Sequence, residues 1–176
     1  MTSPLADHVE RIRIPPSWFE HGESLLVAAR ILANELNVRP PERTDAWRVR
    51  DLGAVRGAMT LLGAGVKCLL KGLAVSRGLL TLVDNKVEFA TELRGWRRHD
   101  LAGMARSLRL ELSATEADLV ERAQVFLIWA GRYPTSLRSE TAFAASADGA
   151  LRFSMADVAT ADGIAARIRI LTSDRA

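Results

Sequence analysis

The sequence has few of the residues that cross-link small proteins. Its 176 residues include one cysteine, Cys68, which excludes an internal disulfide and a structural zinc site built from cysteines. It has no His-Glu-x-x-His motif and no acidic cluster at metal-ligand spacing, so we expect no metal and no cofactor. A chain of this length buries roughly 70% of its unfolded surface. A hydrophobic core must therefore hold the fold together.

Long uninterrupted apolar runs are also missing. The most apolar stretch, Leu52–Val75, contains Arg56, Lys67 and Lys71, and each cation at a bilayer centre costs about 2.5–3.5 kcal/mol. Residues 1–14 are too polar for a signal peptide. We expect no membrane association and a cytoplasmic location.

Lysine is scarce among the cations. Arginine supplies all but three of the 24 positive charges, and the net charge is only +3. This balance permits a local basic patch without requiring nucleic acid as a partner. Heavy use of alanine, arginine, leucine and glycine is typical of a GC-rich bacterium.

Helical periodicity dominates the chain. Apolar residues recur at steps of three and four, which predicts helices over 18–36, 45–77, from 99 onward, 113–132 and 154–171. Residues 1–14 are predicted as a polar tail, 15–176 as one domain and 135–153 as a loop. Residues 80–90 fit either a small hairpin or an irregular insertion. The expected fold is all-α, an antiparallel bundle of five to six helices.

The long second helix carries the strongest pattern. Its apolar face is formed by Leu52, Val55, Met59, Leu62, Val66, Leu69 and Leu73. Among the glycines within it, Gly53, Gly57, Gly63 and Gly65 each cost about 1 kcal/mol relative to alanine. They predict close approach of another helix, or a kink near Gly63. Cys68 near this face is predicted to be an inert thiol.

Several helix ends are marked by short signals. Pro15-Pro16-Ser17 suits a first turn with serine as the cap. Asp100 suits the start of the third helix, and Ser113 with Glu116 matches a capping box. Gly78 is placed to stop the long helix.

One segment, residues 86–109, concentrates basic side chains. Its cations are Lys86, Arg94, Arg97, Arg98, Arg106 and Arg109. Trp96 and His99 lie among them. Arginine recognises phosphate and an indole stacks on bases, so this segment could bind RNA or a nucleotide. The alternative is a solvated helix entrance, with Asp100 as cap and Trp96 in the core.

Three short segments resemble the HEPN superfamily, the helical "higher eukaryotes and prokaryotes nucleotide-binding" domains. They are Leu61–Leu73 with its apolar run and lysines, His99-Asp100-Leu101, and Trp129–Pro134 with its Arg-Tyr-Pro signature. Their order and spacing agree with the family over residues 17–134. Lys67 departs from the pattern, because family members often have glutamate there.

The resemblance implies an antiparallel bundle that often dimerises. It further implies binding of RNA or a nucleotide, with a cognate antitoxin or a nucleotidyltransferase as a protein partner. Residues assigned to binding are Lys71, Trp96, Arg97, Arg98, Arg106, Arg109, Arg132 and Tyr133. Catalytic members of the family are metal-independent ribonucleases with an Arg-x(4–6)-His motif, which Arg94 and His99 satisfy.

Three functional hypotheses follow. The first is a non-catalytic module that binds RNA or a nucleotide, within a toxin–antitoxin or defence pair. The second is a structural or protein-interaction bundle, in which Arg132 and Tyr133 only close the fold. The third is a ribonuclease in which His99 moves the proton of the RNA 2′-hydroxyl and Arg94 stabilises the charged phosphorane.

Overall fold

The fold is an all-α bundle with one small hairpin. The computed structural model describes residues 10–38, 44–83, 86–90, 93, 99–131 and 151–173. The elements in chain order are α1 (Pro15–Glu35), α2 (Asp45–Ser76), β1 (Leu80–Val83), β2 (Lys86–Phe89), α3 (Leu101–Ser107), α4 (Ala114–Val125) and α5 (Met155–Ser173). A π-helical segment, Phe126–Ala130, continues α4 directly. The predicted fold class is confirmed.

The region after α2 is a hairpin and not an irregular insertion. Strands β1 and β2 pair antiparallel, with Leu80 opposite Phe89 and Val83 opposite Lys86. Most of the predicted loop 135–153 lies outside the described residues, and so do residues 1–9 of the predicted tail. Residues 10–13 form a helical turn, and the Ile12 carbonyl accepts a 2.8 Å hydrogen bond from Trp18 Nε1.

The first helix begins earlier than the sequence predicts. Pro15 and Pro16 occupy its first turn, where their missing N–H groups need no partner. Ile14 is therefore the N-cap and Ser17 lies inside the helix, so the prediction of serine as the cap is wrong. The capping box of Ser113 and Glu116 is confirmed at the start of α4.

Helices α1 and α2 lie antiparallel and very close together. A Cβ added at Gly72 would meet Phe19, one at Gly65 would lie 2.9 Å from the Gly22 carbonyl oxygen, and one at Gly57 would meet Leu32. Because the partners run in opposite order along the two helices, the helices are antiparallel. The close approach predicted from the glycines is confirmed on this face.

A second close contact lies on another side of α2. A Cβ at Gly63 would clash with Leu127 and the Ala123 carbonyl, so the segment formed by α4 and its π-helical continuation packs tightly there. A Cβ added at Gly53 would meet nothing within 4 Å, so the prediction of close packing is wrong for that position. No break occurs near Gly63, because α2 is helical from Asp45 to Ser76.

The core runs through the middle of α2. The largest fully buried side chains come from the elements after α1, and include Met59, Leu62, Leu69, Leu73, Leu101, Met104, Leu108, Leu119, Phe126, Ile164 and Ile168. Leu52 is 49% exposed, so the predicted apolar face of α2 does not extend to that residue. α2 is long and apolar enough to cross a membrane by length and composition, but 67% of its apolar window is buried in the bundle. This is the pattern of a core helix.

A buried ion pair joins α4 to α5. Arg122 Nη2 lies 2.6 Å from Asp157 Oδ1, and both side chains are almost fully buried. Asp157 Oδ2 also accepts a 2.7 Å hydrogen bond from the Ser154 amide at the start of α5. One carboxylate therefore both neutralises the buried guanidinium and satisfies the helix start.

Candidate functional site

The structure describes four of the ten predicted site residues. These are Lys71, His99, Arg106 and Arg109. Arg94, Trp96, Arg97, Arg98, Arg132 and Tyr133 lie outside the described residues, as does the arrangement of Arg94 with His99. The ribonuclease site therefore stays a prediction.

The backbone at His99 is fixed by the start of α3. His99 has φ of 59°, a left-handed conformation in which histidine is enriched but still uncommon. The next residue, Asp100, caps α3 by accepting a 2.7 Å hydrogen bond from the Gly103 amide, which confirms the predicted cap. The Leu101 amide donates to Gln124 Oε1 at 3.1 Å. These bonds hold His99 at the junction of α2, α3 and α4.

The imidazole of His99 contacts Lys67 of α2. Lys67 Nζ lies 3.1 Å from His99 Nδ1. An ammonium group has three donors and no acceptor, so a protonated Lys67 requires an unprotonated Nδ1. His99 is then neutral, with its proton on Nε2. Protonating both groups would place two positive charges at hydrogen-bond distance.

Lys71 lies one helical turn after Lys67. Its Nζ is 4.8 Å from the centre of the Trp18 ring on α1, a cation–π contact. Burial, the largest cause, and the charge of Lys67 together lower the pKa of Lys71 to about 8, while the Cys68 thiolate has the opposite effect. Burial also lowers the pKa of Lys67.

The thiol between the two lysines is poorly reactive. Burial raises the pKa of Cys68, although the positive charges of Lys71 and Lys67 act in the opposite direction. The thiolate is the reactive form of cysteine, so a raised pKa disfavours nucleophilic chemistry. This agrees with the inert thiol expected from the sequence.

Lys67, Lys71 and His99, with Trp18 beside Lys71, form a basic cluster. Its nitrogen donors are half-buried, where electrostatic attraction to an anion is stronger than in bulk water. In the sequence, Lys67 is notable as a departure from the family pattern, and no motif marks Trp18. The usable signal was the four-residue spacing of two of the three lysines, which places them on one face of α2.

The two arginines at the end of α3 lie apart from this basic cluster. Arg106 is in the last turn of α3 and Arg109 follows it, whereas His99 precedes its first turn. A seven-residue helix spans about 10 Å. His99 and the two arginines of the predicted cluster over 86–109 therefore lie at opposite ends of α3, while Arg94, Trp96, Arg97 and Arg98 lie outside the described residues.

No protein-family model, curated protein or solved structure matches this chain. Within the described ranges, no group of three or more histidine, cysteine, aspartate or glutamate side chains could hold a metal ion. The chemistry that the basic cluster offers is donation of hydrogen bonds and positive charge.

Proposed function

We propose that this protein is a HEPN-like module that binds RNA or a nucleotide and holds a phosphate group with Lys67, Lys71 and His99. The observation that carries the proposal is the 3.1 Å contact of Lys67 Nζ with His99 Nδ1. It places the Lys67 ammonium group beside the His99 ring at the junction of α2 and α3, one helical turn from Lys71. The proposed location is the cytoplasm.

Phosphate suits the basic cluster for two reasons. Hydrogen bonds between a charged donor and a phosphate oxygen are about twice as strong as neutral ones. A bound dianion would also relieve the repulsion between Lys67 and Lys71 that contributes to the lowered pKa of Lys71. In sequence, Trp96, Arg97 and Arg98 immediately precede His99, which adds further charge and a base-stacking ring to the same region of the chain.

The same contact supports binding over catalysis. A general base needs a free lone pair on the imidazole. While Nδ1 accepts a hydrogen bond from Lys67, that lone pair is not available to the RNA 2′-hydroxyl. We therefore propose that His99 acts as a hydrogen-bond donor in this protein.

The test is fluorescence anisotropy with a labelled single-stranded RNA in EDTA, over a series of salt concentrations. Lys67→Gln and Lys71→Gln should each weaken binding and lower the salt slope by about 0.7, the value for one lost contact to a single-strand phosphate. Arg48→Gln is the matched control, because this α2 side chain is 81% exposed and far from the basic cluster in sequence. Equal binding by wild type and both lysine variants would refute the proposed site.

A cleavage gel in EDTA separates the ribonuclease hypothesis from this one. We expect intact RNA with both the wild type and His99→Ala. RNA cleavage by the wild type that disappears in His99→Ala would show that His99 is catalytic, and Arg94→Ala would be the next variant.

A second candidate function, protein interaction as a homodimer, rests on a different observation. Val27 and Ile31 are one turn apart on α1 and are 50% and 60% exposed. Two large apolar side chains on one helical face favour association. Sedimentation should show a dimer for the wild type and a monomer for Ile31→Glu. A wild-type monomer would exclude this interface between copies and leave a cognate antitoxin or nucleotidyltransferase as the proposed partner.

A further inference from the structure

A groove runs between α3 and the start of α4. Its volume is about 520 Å³, within the usual range of small-molecule sites. Its apolar lining is Ala102, Ala105, Leu110, Leu112 and Ala117, and its charged lining is Arg106, Arg109, Glu111 and Glu121.

Arg109 reaches this groove from a strained backbone position. Its φ is 49°, the left-handed region that favours glycine. The Leu110 amide donates to the Ala105 carbonyl and the Arg109 amide to the Arg106 carbonyl, both at 2.9 Å. This is the Schellman motif, in which glycine usually occupies the position of Arg109. The chain therefore keeps a long cationic side chain where a small one would be more stable, which points to a role for that side chain.

The far wall of the groove is equally well fixed. Ser113 and Glu116 form the capping box of α4. Arg167 of α5 donates to the Glu111 carbonyl at 2.6 Å and pairs with Glu116 at 3.2 Å. The segment between the two helices is thus held at both ends, so the groove is preformed.

The charges in the groove are available to a ligand. Among the described residues, no ion pair or side-chain hydrogen bond is formed by Arg106, Arg109, Glu121 or the Glu111 carboxylate. Two guanidinium groups match the oxygens of a phosphate. The two carboxylates balance the two guanidinium groups, so the groove carries no net charge, which disfavours a polyanionic phosphate backbone more than a single phosphate group.

We propose that this groove is a binding site for a small phosphomonoester. Arg106 and Arg109 would hold the phosphate, and the alanine and leucine side chains would cover an apolar body. This site is separate from the basic cluster and does not depend on the proposed RNA-binding function. Arg106 in the last turn already complements the dipole of α3, so a purely structural role would not require an arginine at 109.

Calorimetry with α-naphthyl phosphate tests the site, because this probe joins a phosphate to an apolar ring. The wild type should bind it, with inorganic phosphate and α-naphthol each binding roughly tenfold or more weakly. Arg109→Gly should lose binding by a similar factor. Its melting temperature should nevertheless rise by about 2–4 °C, which excludes misfolding as the cause. Arg109→Ala, with the strain kept and the side chain removed, should lose binding without that rise.

Two controls make the result decisive. Lys67→Gln should bind α-naphthyl phosphate as the wild type does, which separates the groove from the basic cluster. Arg48→Gln should also bind normally. Unchanged affinity in Arg109→Gly, equal binding of α-naphthol, or loss of affinity in Lys67→Gln would each overturn the proposal.

Discussion

The C-terminal ends of α2 and α3 have the same hydrogen-bond pattern with opposite residue choices. After α2, the Leu79 amide donates to the Ala74 carbonyl at 2.9 Å around Gly78, whose φ is 68°. After α3, an identical bond joins Leu110 to Ala105 around Arg109, whose φ is 49°. The first end uses the residue that costs nothing in this conformation. The second accepts strain of about 1–2 kcal/mol.

What distinguishes the two ends is the surface beside them. A Cβ at Gly78 would meet nothing within 4 Å, so glycine serves only the backbone turn there. Arg109 lines the groove between α3 and α4. The turn after α2 therefore has the residue that costs least in this conformation, whereas the turn beside the groove has a charged one. Experiments at the two ends can break this contrast or make it quantitative.

The largest change in the free energy of unfolding is expected at Arg77, which links the C-terminal ends of α2 and α3. The Arg77 guanidinium at the end of α2 donates to the Leu108 carbonyl, the C-cap of α3. Arg77→Met should lower the free energy of unfolding by about 2 kcal/mol, because hydrogen bonds from charged groups contribute about 1.5–3 kcal/mol. Urea denaturation followed by circular dichroism measures this.

Arg48→Met is the control for this experiment, since Arg48 is exposed and, within the described ranges, pairs with the equally exposed Asp45. It should change stability little. If the two variants were equally stable, the two helix ends would have to be treated as independent of each other.

Gly78→Ala should have the next largest effect. The added methyl group has open space around it, so the cost arises only from the left-handed backbone and is about 1 kcal/mol. The measurement is again urea denaturation, with Gly53→Ala as the matched control. Gly53 also has open space, and it lies in α2, where alanine should stabilise by up to about 1 kcal/mol. A neutral Gly78→Ala would mean that the turn adapts to a side chain, and Arg109 would no longer count as strained.

Lys71 provides a smaller, pH-dependent test of the same contrast. Burial of its charged amine lowers the stability of the fold, as the left-handed backbone does at Arg109. Its folded pKa of about 8 lies below the unfolded value of about 10.4. The unfolded chain therefore binds more protons between these pH values, and stability should rise with pH through that window. Lys71→Met should remove this rise. The effect is modest, because the amine is part-exposed and screened by water.

Two other titratable groups near Lys71 also contribute to the pH dependence of stability and must be separated from it. Lys67 has a lowered pKa and contributes with the same sign, while the raised pKa of the Cys68 thiol contributes with the opposite sign. The protein with Lys71 and the Lys71→Met variant should therefore both carry Cys68→Ala. Unfolding of each should be followed from pH 7 to about 10.5. Identical pH profiles with and without Lys71 would show that its amine titrates normally.

Signals that act within a few residues predicted much of the fold. Gly78 stops α2, Asp100 caps α3, and Ser113 with Glu116 opens α4, each as the local sequence indicates. The Asp100 and Ser113 caps depend on side-chain-to-backbone bonds over three residues, and Gly78 depends on its own backbone freedom, so no knowledge of packing is needed. The interior glycines of α2 predicted close packing on a different ground. Each glycine lowers helix stability, and a closely packed neighbour offsets that cost.

The candidate sites were harder to predict because they depend on packing. Lys67 and His99 are 32 residues apart, and only the docking of α3 against α2 brings them together. Arginine is a good helix former, so nothing in the sequence marks Arg109 as left-handed. Leu52 fits the apolar period of α2, yet it is half exposed. The periodicity of apolar residues identifies one face of a helix, but it does not show which part of that face another element covers.

The smallest expected effect is the most discriminating for the comparison. The double variant Gly78→Ala, Arg109→Gly exchanges which end carries the strain. If both costs come from the left-handed backbone, the loss of about 1 kcal/mol at Gly78 and the gain at Arg109 should cancel to within about 0.5 kcal/mol. The single variants and the wild type complete a double-mutant cycle in urea. A double variant clearly less stable than the wild type would show that the Arg109 side chain stabilises the fold itself, and that its place in the groove needs no ligand to explain it.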